Sequence, residues 1–212
     1  MIISLTGFMG CGKSSVGRRL SELLCCPFID LDSVIEERAG CSIPEIFAAD
    51  GEAAFRTMEM DTLKHVVCEG ESKTKSLTDH EQQPTAHIVL SLGGGTVMTK
   101  ECADLVRQNT RCIYLRASVD TLIEHLEGQT GNRPILNSID CHSDRDSICH
   151  SDRDSICHSD RAKRVEESAL RNRIEELMSL RADTYEATAH IILDTDGQSI
   201  DSLAQEIISI LK

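Results

Sequence analysis

Short apolar runs alternate along the chain with longer stretches in which apolar residues recur every three or four positions. The runs at 2–5, 27–30, 87–92, 111–115 and 190–193 are too short for helices and read as strands. Between the first two, Val16, Leu20, Leu23 and Leu24 mark one face of a helix over 13–24. Further helices are expected at 32–39, where Gly40 stops the pattern, and at 52–68, 99–108, 119–127, 163–181 and 199–211. Ser42 and Glu45 form a capping box for a short helix holding Ile46 and Phe47, and Gly51 breaks it. Ser118 caps the helix that follows it. Strands separated this regularly by helices predict an α/β fold, with a five-stranded parallel sheet in the middle of three layers.

Two stretches fall outside the rhythm. Residues 69–86 are polar, contain Pro84, and read as a surface loop. Residues 146–153 and 154–161 are the same octapeptide, DSICHSDR, after a degraded earlier copy. A period of eight fits neither a helix face nor a strand face, so the repeat is expected to bury nothing. Its pairs Cys141-His142, Cys149-His150 and Cys157-His158 invite a zinc reading. The ligand spacings of known zinc modules are missing, which favours a tandem duplication in a tolerant loop.

A chain of 212 residues fits one domain. Hydrophobic residues are 40% of it and aromatics only 3%, so the core is expected to be aliphatic. The net charge of −13 excludes a broad basic face for nucleic acid. Any anion must then be held by a few placed cations and backbone amides. No apolar run reaches the roughly 18 residues that span a bilayer. The start, Met1-Ile2-Ile3-Ser4-Leu5, lacks the charged region of a secretory signal, so a cytoplasmic protein is expected. In that setting Cys25, Cys26, Cys41, Cys68, Cys102 and Cys112 read as small buried residues rather than a disulfide framework.

The sharpest motif is Gly7-Phe8-Met9-Gly10-Cys11-Gly12-Lys13-Ser14, which fits G-x-x-x-x-G-K-[ST] between a predicted strand and a predicted helix. Glycines let successive N–H groups converge on phosphate oxygens, and a helix N-terminus adds positive potential. Lys13 can reach the outer phosphates of a nucleotide, and Ser14 can ligate Mg²⁺. Gly10, Cys11, Gly12 and Ser15 complete the cradle, with Cys11 read as a tolerated loop residue rather than a redox group. Asp30 and Asp32 lie just past the second strand, where ligands of open α/β sheets bind. Asp32 fits equally a functional carboxylate and the N-cap of the next helix. Gly93-Gly94-Gly95 ends the third strand, either as a tight turn or as a place for a ligand to approach backbone. Arg56, Arg133 and Arg181 are each surface arginines or anion-holding forks.

These stretches, with Ser42-Ile43-Pro44-Glu45-Ile46-Phe47, Gly51-Glu52, Phe55-Arg56, Asn132-Arg133-Pro134-Ile135-Leu136 and Arg181-Ala182 with Tyr185, occur in an order that resembles the shikimate kinases. The resemblance implies a P-loop kinase with a mobile lid, and transfer of the ATP γ-phosphoryl group to the 3-hydroxyl of shikimate. It implies one domain over 1–212, with a substrate-binding helical segment about 32–62. A lid about 128–165 would carry the repeat as an insertion at 140–161. Lys13, Asp32 and Arg133 would be catalytic, with Asp32 binding the shikimate hydroxyls and serving as base. Arg56 and Arg181 would hold the carboxylate, and Gly94 and Gly95 would offer backbone. Asp30 would organise Mg²⁺ beside Ser14, and Arg133 would reach the phosphates from the lid. The adenine side is expected near 194–198. ATP, shikimate and Mg²⁺ are then the small-molecule partners, and a monomer is expected. After Arg181-Ala182 the family has Pro-Leu-Tyr where this chain has Asp183-Thr184-Tyr185. Asp183 either weakens the clamp or caps another helix. Two other readings share the cradle: a gluconate or nucleoside monophosphate kinase without the paired arginines, and a non-catalytic nucleotide- or metal-binding regulator.

Overall fold

The computed structural model describes residues 1–76, 87–127 and 155–211, with side chains over 1–68, 87–127 and 168–211. Five strands form one all-parallel sheet: β1 (Ile2–Thr6), β2 (Phe28–Asp30), β3 (Ile88–Ser91), β4 (Arg111–Arg116) and β5 (Ile191–Asp194), in the order β2-β3-β1-β4-β5. Ile3 faces Val89 on one side and Arg111 on the other, which fixes the central register.

The helices are α1 (Lys13–Leu23), α2 (Leu31–Ala39), α3 (Ile43–Ser76), α4 (Lys100–Asn109), α5 (Val119–Glu127), α6 (Ser155–Thr188) and α7 (Ile200–Leu211). They cover both faces of the sheet. Ile3 and Leu5 of β1 and Ile113 and Leu115 of β4 point into one core with α1, α5 and α7. The alternate residues Ile2, Cys112 and Tyr114 point into a second core with α2, α3 and α4. Helix α6 feeds both cores, through Ile174 and Leu177 into the first and Tyr185 into the second.

Local chemistry explains most element ends. Gly40 takes φ 70° at the end of α2, and its N–H bonds to the Glu36 carbonyl. Gly51 takes φ 77° and ψ 177°, so α3 is two helices meeting at a break only glycine makes cheaply. The capping box at Ser42 is half formed. Glu45 accepts from both the Ser42 N–H and its hydroxyl at 2.7 Å, while the Ile43 N–H goes to Glu36 at 2.9 Å. Ser118 caps α5 by accepting from the Thr121 N–H at 3.3 Å.

Several expectations are corrected. Helix α3 continues to Ser76, so the stretch expected to be a loop from 69 begins as helix. Helix α6 begins at Ser155 inside the second octapeptide and runs past Arg181 to Thr188, so Arg181 does not end it. Asp183 lies within α6 and is exposed, so it caps nothing. It stands two residues from Arg181, about 200° round the helix, and so projects away from it. The core is not purely aliphatic. Tyr114, Tyr185 and Phe8 are among its largest fully buried side chains. Cys102 and Cys112 are buried as expected, but Cys25, Cys41 and Cys68 are exposed and Cys26 is half-buried.

Candidate active site

Strand β1 delivers the chain into the loop at 7–14. Gly10 and Gly12 adopt φ 84° and 89°, so the loop folds tightly back before α1. Gly12 is the N-cap of α1, whose axis points at the loop. The Lys13 ammonium folds over the loop and donates to the carbonyls of Gly7 and Phe8, both at 2.9 Å. Cys11 is buried beneath it, its Sγ 3.8 Å from Lys13 Nζ. The His125 ring meets the Gly10 carbonyl at 2.8 Å through Nδ1, tying α5 to the loop.

The two acids past β2 divide their roles. Asp30, not Asp32, is the N-cap of α2, accepting from the Asp32 N–H at 3.2 Å. The other Asp30 oxygen accepts from the Ser14 hydroxyl at 2.7 Å. A hydroxyl and a carboxylate so joined are hard oxygen donors of the kind Mg²⁺ takes beside phosphate. Asp32 keeps its carboxylate for the cavity. Burial, then the charge of Asp30, pushes its pKa up to about 6 against the pull of Lys13, with Glu59 and Glu36 adding to the rise.

The glycine run closes over these acids. A Cβ on Gly93 would lie 2.7 Å from an Asp32 oxygen, and one on Gly95 would lie 2.9 Å from the Arg56 guanidinium. The bare backbone thus lets the Asp32 carboxylate and the Arg56 guanidinium lie directly against the turn, and Gly94 lies against the phosphate loop, where a Cβ would be 3.3 Å from the Met9 nitrogen. Arg56, on the second half of α3, pairs with Glu59 at 2.8 Å and with Glu52 at 3.2 Å. Glu59 is almost wholly buried and also accepts from the Thr96 hydroxyl at 2.7 Å. Arg181, on α6, lies over the Phe8 ring at 5.9 Å. Its Nη1 is a buried donor without a hydrogen-bond partner among the described residues. One turn on, the Tyr185 hydroxyl donates to the Gly94 carbonyl.

Most of these groups, though not Phe8, Glu52, Thr96 or Tyr185, line one cavity of about 790 Å³. It runs from the loop, past Lys13, Ser14, Asp30 and Asp32, to Arg56, Gly93–Gly95 and Arg181. Its lining also includes His125, Thr195, Gln198 and Ile200, so two residues of the segment 194–198 border the chamber. Gly10, Gly12 and Ser15 line it as well. Of the residues singled out from sequence, Arg133 lies outside the described residues, as do most of the lid segment 128–165 and the repeat at 140–161 apart from the α6 backbone from Ser155. No group of three or more potential metal-ligating side chains occurs among the described residues. No helix among them is long and apolar enough to cross a membrane.

The profile of the shikimate kinase family matches residues 9–172. The chain belongs to the shikimate kinase family. The shikimate kinase of one Thermus thermophilus strain is 34% identical over 206 residues, covering 97% of this chain and 87% of that one. The shikimate kinase of Chlorobaculum tepidum is also 34% identical over 206 residues, again 97% of this chain and 87% of that one. Among solved structures, the shikimate kinase of Acinetobacter baumannii in complex with shikimate aligns with a TM-score of 0.71 at 27% identity, over 99% of this chain and 92% of that one. The Bacteroides thetaiotaomicron shikimate kinase aligns with a TM-score of 0.72 at 26% identity, over 100% of this chain and 98% of that one. A shikimate kinase is an ATP-dependent phosphotransferase, which agrees with a phosphate cradle opening on an acidic, arginine-lined chamber.

The sequence did not single out three groups as parts of this shikimate kinase site. Glu59 carries the only signal available beforehand, an acid three residues after Arg56 on the same helical face. Thr96 and His125 carry none, since their partners are 37 and 115 residues away.

Proposed function

We propose that the chain transfers the γ-phosphoryl group of ATP to the 3-hydroxyl of shikimate, giving shikimate 3-phosphate and ADP. The observation that carries this reading is a half-buried carboxyl, Asp32, held next to the cradle in a chamber that also presents two guanidiniums. One of those guanidiniums has a buried donor still open. That combination suits an acceptor with an alcohol at one end and a carboxylate at the other.

The residue roles follow from the chemistry of each group. Backbone amides of 10–15 and the Lys13 ammonium hold the phosphates of ATP. Arg56 and Arg181 hold the acceptor carboxylate as bidentate forks, and Gly94 and Gly95 let the ring lie against backbone. Asp32 accepts the proton of the 3-hydroxyl as its oxygen bonds to the γ-phosphorus and the bond to the ADP oxygen breaks. A carboxyl near 6 is mostly ionised at neutral pH, yet basic enough to take that proton. Ser14 and Asp30 would hold Mg²⁺ with the phosphates completing its shell, and the ion supplies neutralisation of charge on the leaving phosphate. In this reading 32–62 is the acceptor-binding arm. The lid is 128–165, from which Arg133 reaches the phosphates.

A coupled ADP-release assay with shikimate, gluconate and nucleoside monophosphates tests the reading. Turnover is expected with shikimate and ATP, and only at background with the other acceptors. Equal or greater turnover with gluconate or a nucleoside monophosphate would overturn it.

A further inference from the structure

The tie between Tyr185 and Gly94 takes part in no step above, yet it sits where the two halves of the carboxylate clamp meet. Tyr185 follows Arg181 by four residues on α6, so both project from the same helical face. Its ring is fully buried and stacks on Tyr114 of β4, with centroids 5.2 Å apart and planes at 27°. The ring thus rests on the sheet itself. From there the hydroxyl donates to the Gly94 carbonyl. A buried phenol needs such a partner, and burial pushes its pKa up, so it stays a neutral donor across the working range of pH. On the far side Gly94 is pressed against the phosphate loop, where a Cβ would lie 3.3 Å from the Met9 nitrogen. A peptide group is planar and trans, so holding the Gly94 C=O also sets the direction of the Gly95 N–H, on the opposite side of that plane.

We propose that Tyr185 is a positioning residue for the acceptor: its hydroxyl pins the Gly94–Gly95 peptide to the helix that carries Arg181, so that the guanidinium meets the acceptor carboxylate and the glycine backbone meets its ring in one fixed register. The proposal rests on reading the chamber as a shikimate site. Arg181 rides on α6 and the glycines on a turn after β3, so nothing in the chain connectivity couples them. Two-point recognition of one acceptor, carboxylate and ring together, tolerates only about 0.5 Å of misplacement. A buried hydrogen bond between the two elements supplies that coupling.

The test is Tyr185→Phe, which keeps the ring and its stack and removes one oxygen. Steady-state kinetics with shikimate and ATP, each varied at saturating partner, should show the KM for shikimate rising about tenfold, the effect of one buried hydrogen bond. The KM for ATP and kcat should stay within about twofold. Methyl shikimate, which has no free carboxylate, should lose less affinity than shikimate when Tyr185 is changed, because the Arg181 half of the register is then unused. Tyr114→Phe keeps the stack and the Gly94 tie and should leave both KM values unchanged. An unmoved KM for shikimate in Tyr185→Phe would overturn the proposal. So would equal rises in both KM values, which mark general loosening. If the parent showed no preference for shikimate, the functional reading itself would fall, and the proposal with it. A parent that prefers shikimate while the variant is unaffected rejects the proposal alone.

Discussion

At the phosphate end of the cavity, eight consecutive residues, 7–14, supply the loop, its glycines and its lysine, and the loop makes its contacts largely through backbone. At the acceptor end the groups come from four separate places: Asp32 on α2, Arg56 and Glu59 on α3, the Gly93–Gly95 turn, and Arg181 with Tyr185 on α6. The first end is a property of local chain geometry. The second exists only once the whole fold has formed, and it is held by side chains that must satisfy one another. Glu59, for example, holds Arg56 and Thr96 together from a buried position. Outside Lys13 and Ser14, the contiguous site should therefore resist side-chain changes, and the assembled site should respond to nearly every one.

The largest contrast is expected from Asp32→Asn. It should lower kcat about 1,000-fold, the scale of a lost general base, with the KM for ATP little changed. A kcat within tenfold of the parent in the coupled assay would remove Asp32 from the base role. Next, Arg181→Lys should raise the KM for shikimate about 30-fold, since a point charge replaces a fork, and should spare the KM for ATP. A matching rise for ATP would show that Arg181 belongs to both ends.

The third expectation concerns pH. Asp32 titrates near 6 in the free protein, so kcat/KM for shikimate should fall about tenfold per unit as pH drops below that value. The effect on stability has the opposite sign. The folded-state value is raised above the ordinary 3.8, so this group favours folding most below 3.8, and that contribution is lost as pH rises through about 6. Asp32→Asn should therefore stabilise the protein at pH 8 by about 2 kcal/mol relative to its effect at pH 4. Melting curves at the two pH values check this, and an equal shift at both would contradict it.

Smaller again is Glu59→Gln, which keeps an acceptor for Thr96 but removes the charge facing Arg56. It should lower the melting temperature by about 3–6 °C and raise the KM for shikimate a few-fold. The least effect is expected from Cys11→Ala at the phosphate end. Both KM values should stay within about twofold, because the cradle works through main-chain N–H groups.

How much could be read beforehand follows the same division. The phosphate loop was legible because its chemistry depends on consecutive residues, and spacing in sequence is spacing in space. The five strands were legible as apolar runs, and Gly51 as a helix break, for the same local reason. Asp30 and Asp32 are visible as a pair, but which one caps α2 depends on where the helix starts, and the cap lies at Asp30, two residues before the Asp32 the spacing suggests. Helix α6 was cut short at Arg181 because the last apolar contact of its face, Tyr185, looks isolated without knowledge of the sheet beneath it. Thr96 and His125 act through partners on other elements, a relation that no pattern along the chain encodes, and Glu59 shows only its pairing with Arg56 along its own helix, not its hold on Thr96.

The folded-back Lys13 has a further consequence. Its ammonium already occupies the mouth of the loop by bonding two main-chain carbonyls. On the proposed reading, arrival of a nucleotide is then a handover from carbonyl to phosphate oxygen, with the loop shaped in advance. The ordering cost was met when the polypeptide folded, so association should show a small heat-capacity change and an on-rate close to that of a rigid receptor.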